Sequence, residues 1–214
     1  MIVTGNVGAP QASSTPGTQT QPIRQGNLNE IIIGEVHGTY YEGTYRGGRF
    51  GGAMQAVLAT ATIAGVSTAV TGTSVLYNPI GSKVNLAIDK FGVGFVVAPA
   101  APLVYGLATG WSTGALAGTL TSLNPKSKNI GSGYQPVGQL FASAAITLPV
   151  APTVDTVLGM LDTGAVTTVT NTVNIFDLQS GIILPPGGYA VFWTSAVLAA
   201  SAHIASWSWE EVPV

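Results

Sequence analysis

The stretch Lys83-Val84-Asn85-Leu86-Ala87-Ile88-Asp89-Lys90-Phe91-Gly92-Val93-Gly94-Phe95-Val96-Val97-Ala98 decides the fold class. Val84, Leu86 and Ile88 share one face of an extended chain, while Asn85 and Asp89 fall on the other, which is the period of a half-buried strand. From Phe91 the apolar set becomes Phe91, Val93, Phe95 and Val97, one residue out of step, with Gly92 and Gly94 opposite. A slip of one residue reverses the buried face. A bulge near Asp89-Lys90 restores it.

Outward from this stretch the same period recurs. His203, Ala205, Trp207 and Trp209 lie on one face of a C-terminal strand, with Ser206, Ser208 and Glu210 on the other. Leu184-Pro185-Pro186-Gly187-Gly188 is a turn, since Pro fixes φ and Gly permits positive φ, and residues 189–198 supply the next strand. Further extended segments are expected at 55–63, 67–77, 103–108, 139–148 and 172–178, with Gly, Pro or Asn between them. Many strands and few helical patterns indicate an all-β chain, a two-sheet β-sandwich or barrel. The glycine-rich run 45–52 reads as a loop. Residues 1–27 hold few large apolar side chains and read as an extended N-terminal arm, leaving 28–214 as a single sandwich domain.

Charge is scarce. Asp, Glu, Lys and Arg make up 7% of the 214 residues, against roughly 25% in an average soluble domain. The net charge of -2 gives no field to draw nucleic acid or an anionic membrane. There is no Cys, which excludes disulfides, thiolate metal sites and Cys nucleophiles. Residues 91–125 carry no charge, yet Pro99 and Pro102 interrupt their most apolar part, and a spanning helix wants about 20 apolar residues without such breaks. No membrane insertion is expected. The first ten residues lack the basic and apolar segments of a secretory signal, so export by that route is not expected either.

Candidate chemistry is thin. Gly110-Trp111-Ser112-Thr113-Gly114 fits G-x-S-x-G, and Asp155, Asp162, Asp177 and His203 follow in hydrolase order. A nucleophile elbow needs a helix after the serine, and Gly114 and Gly118 argue against one, so the string reads as a plain turn. Glu210 and Glu211 point to opposite faces of a strand and cannot share one bond of a substrate. The two histidines, His37 and His203, have no metal-ligand spacing and read as hydrogen-bonded structural residues. No calcium loop or Walker motif is present. The reading is of a protein that is not an enzyme, with no catalytic residue, cofactor or metal.

Tyr40, Tyr41, Tyr45, Arg46, Arg49 and Phe50 mix aromatic and guanidinium groups in one segment. With so little net positive charge this is a protein contact surface and not a nucleic-acid one, and Arg24 in the arm belongs with it. Trp193, Trp207, Trp209 and Glu211 are candidate core or subunit-interface residues. A surface this poor in charge is tolerable in water when neighbouring molecules cover it, so association is expected.

Several strings carry a resemblance: Arg24-Gln25-Gly26, Val36-His37-Gly38-Thr39-Tyr40-Tyr41-Glu42, Tyr77-Asn78-Pro79-Ile80-Gly81-Ser82, Pro185-Pro186-Gly187-Gly188 and Trp209-Glu210-Glu211-Val212-Pro213. Over residues 24–214 the chain resembles tailed-phage virion structural proteins. The resemblance implies a jelly-roll-like head decoration or cement protein, a homotrimer bound to the major capsid protein or another virion protein, made in the host cytoplasm and located on the head surface of the virion. It offers no catalytic residues. The competing expectation is a tail or head-fibre module that binds host-surface carbohydrate through Trp193, Trp207 and Trp209, which would then be partly exposed.

Overall fold

The computed structural model describes residues 40–55, 58–60, 68–70, 73–97, 102–143, 145–162, 173–195 and 201–214. The arm at 1–27, with Arg24, and the start of the sandwich domain at residue 28 lie outside the described residues, as does His37. The chain divides into two units, Met1–Glu42 and Gly43–Val214. In the second unit the described fold is almost wholly strand.

In chain order the elements are α1 (Tyr41–Tyr45), β1 (Arg49–Ala53), β2 (Leu58–Thr60), β3 (Ala69–Val70), β4 (Thr73–Tyr77), β5 (Val84–Val97), β6 (Leu103–Trp111), β7 (Ala117–Thr119), β8 (Lys126–Ser127), β9 (Gln139–Ser143), β10 (Ala145–Thr147), β11 (Thr153–Leu161), β12 (Val173–Leu184), β13 (Gly188–Thr194) and β14 (Ser201–Pro213). Sheet one runs β12-β5-β14-β1-β8, with β2 also pairing β14. Sheet two runs β11-β6-β13-β4-β9. A small sheet is β3-β10-β7.

The pairings nest. The antiparallel pairs β1 with β14, β4 with β13, β5 with β12 and β6 with β11 fall alternately in sheets one and two. A chain doubled on itself and rolled in this way is a jelly roll, a two-sheet β-sandwich.

The slip in β5 is a bulge, as its periodicity requires. Against β14, Lys90 pairs Ser208 and Ile88 pairs Trp209, so Asp89 has no partner opposite it. Leu86, Ile88, Phe91 and Val93 are therefore all at most 1% exposed in one core, together with Ala205, Trp207 and Trp209. Val97, expected in the same set, is exposed at the strand's end. The Trp207 indole N–H donates to Ser74 Oγ at 2.9 Å, tying β14 in sheet one to β4 in sheet two.

Sheet two is covered on its outer side as well. Val75, Tyr77, Ala108, Tyr189 and Val191 pack there with Ile146 of the small sheet and with Leu116 and Leu148. Strand β4 is consequently buried along its whole length. The turn at 185–188 forms as read, with Gly187 at φ 84° and Gly188 N–H donating to Pro185 O at 2.7 Å.

Residues 45–52 are not one loop. Arg49–Ala53 is β1, paired along its length with β14, and α1 precedes it. Gly51 and Gly52 serve close approach: a Cβ on Gly51 would lie 2.7 Å from Trp207 O, and one on Gly52 2.9 Å from Leu140 Cδ2. Glycine in a strand marks such approach as often as it marks a turn.

Candidate functional site

Strand β11, Thr153-Val154-Asp155-Thr156-Val157-Leu158-Gly159-Met160-Leu161, puts apolar residues on both faces, because two register shifts against β6 break its alternation. A Cβ on Gly106 would lie 2.0 Å from Thr156 O, so glycine there lets β11 lie tight on β6. Among the described residues β11 pairs only with β6 and β12 only with β5, so the two strands end their sheets.

Among the described residues no strand pairs with the free flank of either. Outward, Val157 is 61% exposed, Met160 67%, Val173 75% and Ile175 72%. Ile183 is exposed too. Inward, Leu158, Leu161, Phe176, Leu178 and Ile182 pack on the main core yet are only half-buried. Apart from Leu184, no residue of either strand is fully buried. On the outer face, Val173 and Ile175 side chains lie 3.4 and 3.8 Å from where a Cβ on Gly94 or Gly92 would stand, so the glycines leave a flat floor beside them. Unpaired strand edges that carry exposed apolar side chains are the kind of edge that proteins cover by association.

No protein-family model, curated protein or solved structure matches the chain.

At the Asp89 bulge four residues of β12, 178–181, stand against the single Asp89 of β5, between Asp177 opposite Lys90 and Ile182 opposite Ile88. Gln179 and Ser180 adopt positive φ, and the Ser180 hydroxyl donates to Asp89 Oδ1 at 2.9 Å. Arg49 reaches from β1 to ion-pair with Asp89 and also faces Glu210 at 3.7 Å. Burial raises the Asp89 carboxyl above its ordinary range, against the opposing pull of Ser180 and Arg49; Glu210 adds to the rise. This polar row crosses four strands of sheet one.

The residues expected to meet partners therefore separate. Tyr41, Tyr45 and Arg46 are exposed and Tyr40 is half-buried. Arg49 and Phe50 are 6% and 3% exposed, because β1 is an inner strand of sheet one; they are not partner contacts but a buried ion and a core ring. Trp207 and Trp209 are core residues. Trp193 is half-buried against the outer cluster of sheet two, its indole nitrogen buried without a hydrogen-bond partner among the described residues. Glu211 accepts hydrogen bonds from the N–H groups of Val137 and Gly138 at 2.9 and 2.8 Å and from the Trp209 indole at 3.2 Å. It fixes a loop within its own chain.

His203 is wholly buried between Phe95 and Phe192, and neither ring nitrogen has a hydrogen-bond partner among the described residues. The expectation of a hydrogen-bonded histidine is corrected: an aromatic pocket offers no acceptor, and burial pulls its pKa down to about 4. Ser112 Oγ accepts from Gly114 N–H at 3.0 Å and its N–H donates to Gly187 O, so G-x-S-x-G is a turn. No group of three or more His, Asp or Glu that could hold a metal ion occurs among the described residues. No helix among them is long and apolar enough to cross a membrane.

Two of the strings that carry the resemblance meet. Asn78 Nδ2 donates to Val84 O at 2.7 Å and Leu184 O at 2.8 Å, and its backbone bonds to Gly187 and Gly188. The sequence signal missed β11, since its apolar residues on both faces erase the alternation that marks a strand.

Proposed function

We propose that this chain is a non-enzymatic structural subunit of a tailed-phage virion that assembles as a homotrimer and binds the major capsid protein as a head decoration or cement protein. The observation that carries the assembly is the open β11/β12 edge, where inward side chains of a sandwich are half in water. The occupant of that edge is a second copy of the chain. The edge is apolar, and a chain with 7% charged residues has few charges anywhere to offer a partner of opposite sign. A neighbouring copy covers both the exposed strand edges and the apolar floor, and stable interfaces bury on the order of 1,600 Å² in all. The capsid placement rests on the resemblance and on the jelly roll, an architecture common among viral shell proteins.

Native mass measurement of the full chain tests the assembly, with a trimer expected and a single-chain mass at high concentration overturning it. Ile175→Lys with Met160→Lys should yield single chains that remain folded. For the virion role, heads lacking the protein should lose integrity on heating and regain it when the purified chain is added back; heads that neither bind it nor change would sink that part. Of the three tryptophans named for carbohydrate binding, Trp207 and Trp209 are 1% and 0% exposed, and Trp193 is half-buried.

A further inference from the structure

The loop between β8 and β9 builds a second site, away from the open edge. Residues 128–138 frame an open cleft of about 1030 Å³ whose lining includes Asn124, Lys126, Lys128, Asn129, Tyr134 and Gln135 and holds no Asp or Glu. The sequence has seven Lys and Arg in all, and two of them stand two residues apart here. Neither Lys126 nor Lys128 has an ion-pair partner among the described residues. Glu211, which bonds to the lining residue Gly138, is engaged with the N–H groups of Val137 and Gly138.

The cleft is held in shape. Lys128 N–H donates to Arg49 O at 2.9 Å and Ser132 N–H to Asn129 O at 3.2 Å. Ser127 Oγ accepts from Asn129 N–H at 3.1 Å, and Asn129 Nδ2 donates to Tyr45 O at 3.3 Å. The Tyr134 ring lies on the bare backbone of Gly47, at φ 77°, where a Cβ would stand 2.1 Å from the ring, and it is still 49% exposed. Preformed concave sites with a few convergent polar groups are the usual form of a ligand site.

We infer that this cleft binds an acidic oligosaccharide, a chain of sugar rings bearing carboxylates. Each element has a counterpart in such a ligand. Primary amides offer donor and acceptor side by side, as vicinal hydroxyls require. A half-exposed tyrosine ring packs the apolar face of a sugar while its hydroxyl stays wet. Two exposed lysines in a lining that holds no Asp or Glu attract carboxylates by charge-assisted hydrogen bonds. Two cations are too few for a nucleic-acid backbone, which needs many phosphates neutralised. The inference does not depend on the assembly proposed above.

Calorimetric titration of the full chain tests it with three probes: a tetramer of galacturonic acid, the neutral tetramer maltotetraose, and tetraglutamate. Saturable binding of the galacturonate tetramer is expected, weakened by added salt and stronger than that of either control. Lys126→Gln with Lys128→Gln should weaken it by about tenfold or more with the thermal midpoint unchanged, as both side chains are on the surface. Absence of saturable binding, equal binding of maltotetraose, tighter binding of tetraglutamate, or an unchanged affinity in the double variant would each overturn the inference.

Discussion

Phe192 on β13 and Phe176 on β12 both lie 6.3 Å from the ring of Tyr105, in the same core, yet Phe192 is 2% exposed and Phe176 is only half-buried. The difference is position in the roll. Strand β13 has β6 and β4 on its flanks, sheet one beneath and the small sheet above. Strand β12 has β5 on one flank and nothing on the other among the described strands. One half of the sandwich is closed within the chain; the other ends in strands with a free flank among the described residues, where the proposed assembly would place a second copy.

The sharpest test removes the tie across the closed half. Trp207→Ala should cost about 3–5 kcal/mol, the usual range for a large aromatic in a tight core, read from guanidinium unfolding. Asp89→Ala should cost a similar amount, about 3–5 kcal/mol, because it takes the buried carboxylate away from the Arg49 guanidinium; a loss under about 1 kcal/mol would mean the row is solvated after all.

Next comes pH. The His203 pKa falls from 6.5 to about 4 on folding, so above 6.5 neither state binds a proton there and its contribution is whole. Between 6.5 and about 4 the unfolded chain takes up a proton that the folded chain refuses, and stability falls by about 1.4 kcal/mol per pH unit, about 3 kcal/mol in all. Asp89, raised from 3.8, works with the opposite sign, because the folded state protonates first as pH falls. Comparing His203→Leu with the parent across this window isolates the histidine: the variant should lose the acid slope, and an unaltered slope would refute the assignment.

At the open edge the same truncation should matter less. Phe176→Ala is expected to cost about 2 kcal/mol in the single chain, roughly half the cost of a fully buried phenylalanine. In the assembled protein the cost should rise with the interface it helps to fill. Smallest of all, Ile175→Lys should shift the stability of the single chain by no more than about 0.5 kcal/mol while lowering the concentration-dependent part of the melting temperature. An Ile175→Lys chain that unfolds outright would place that residue in the core and erase the contrast between the two halves.

Where the apolar period was clean, the strand was legible before any coordinates. The bulge in β5 followed from a single slip at Asp89, and the inward face of β14 from four residues at alternate positions. Where a residue's role depended on a distant strand, it was not. Arg49 and Phe50 looked like surface contacts because Gly47, Gly48, Gly51 and Gly52 around them imitate a loop. What makes Gly51 and Gly52 strand residues is the approach of Trp207 O and Leu140, far along the chain. Likewise the cleft was invisible in sequence: Lys126 and Lys128 acquire meaning only when Tyr134 folds back over Gly47.

By itself the sequence determined a two-sheet β architecture, the turn at 185–188 and the place of one bulge, since these follow from side-chain alternation and local φ preferences. The tertiary structure alone decided which glycines are strand, which charges are buried and which strands end their sheets among the described residues. Those depend on non-local pairing, and a one-dimensional pattern does not record which strands become neighbours.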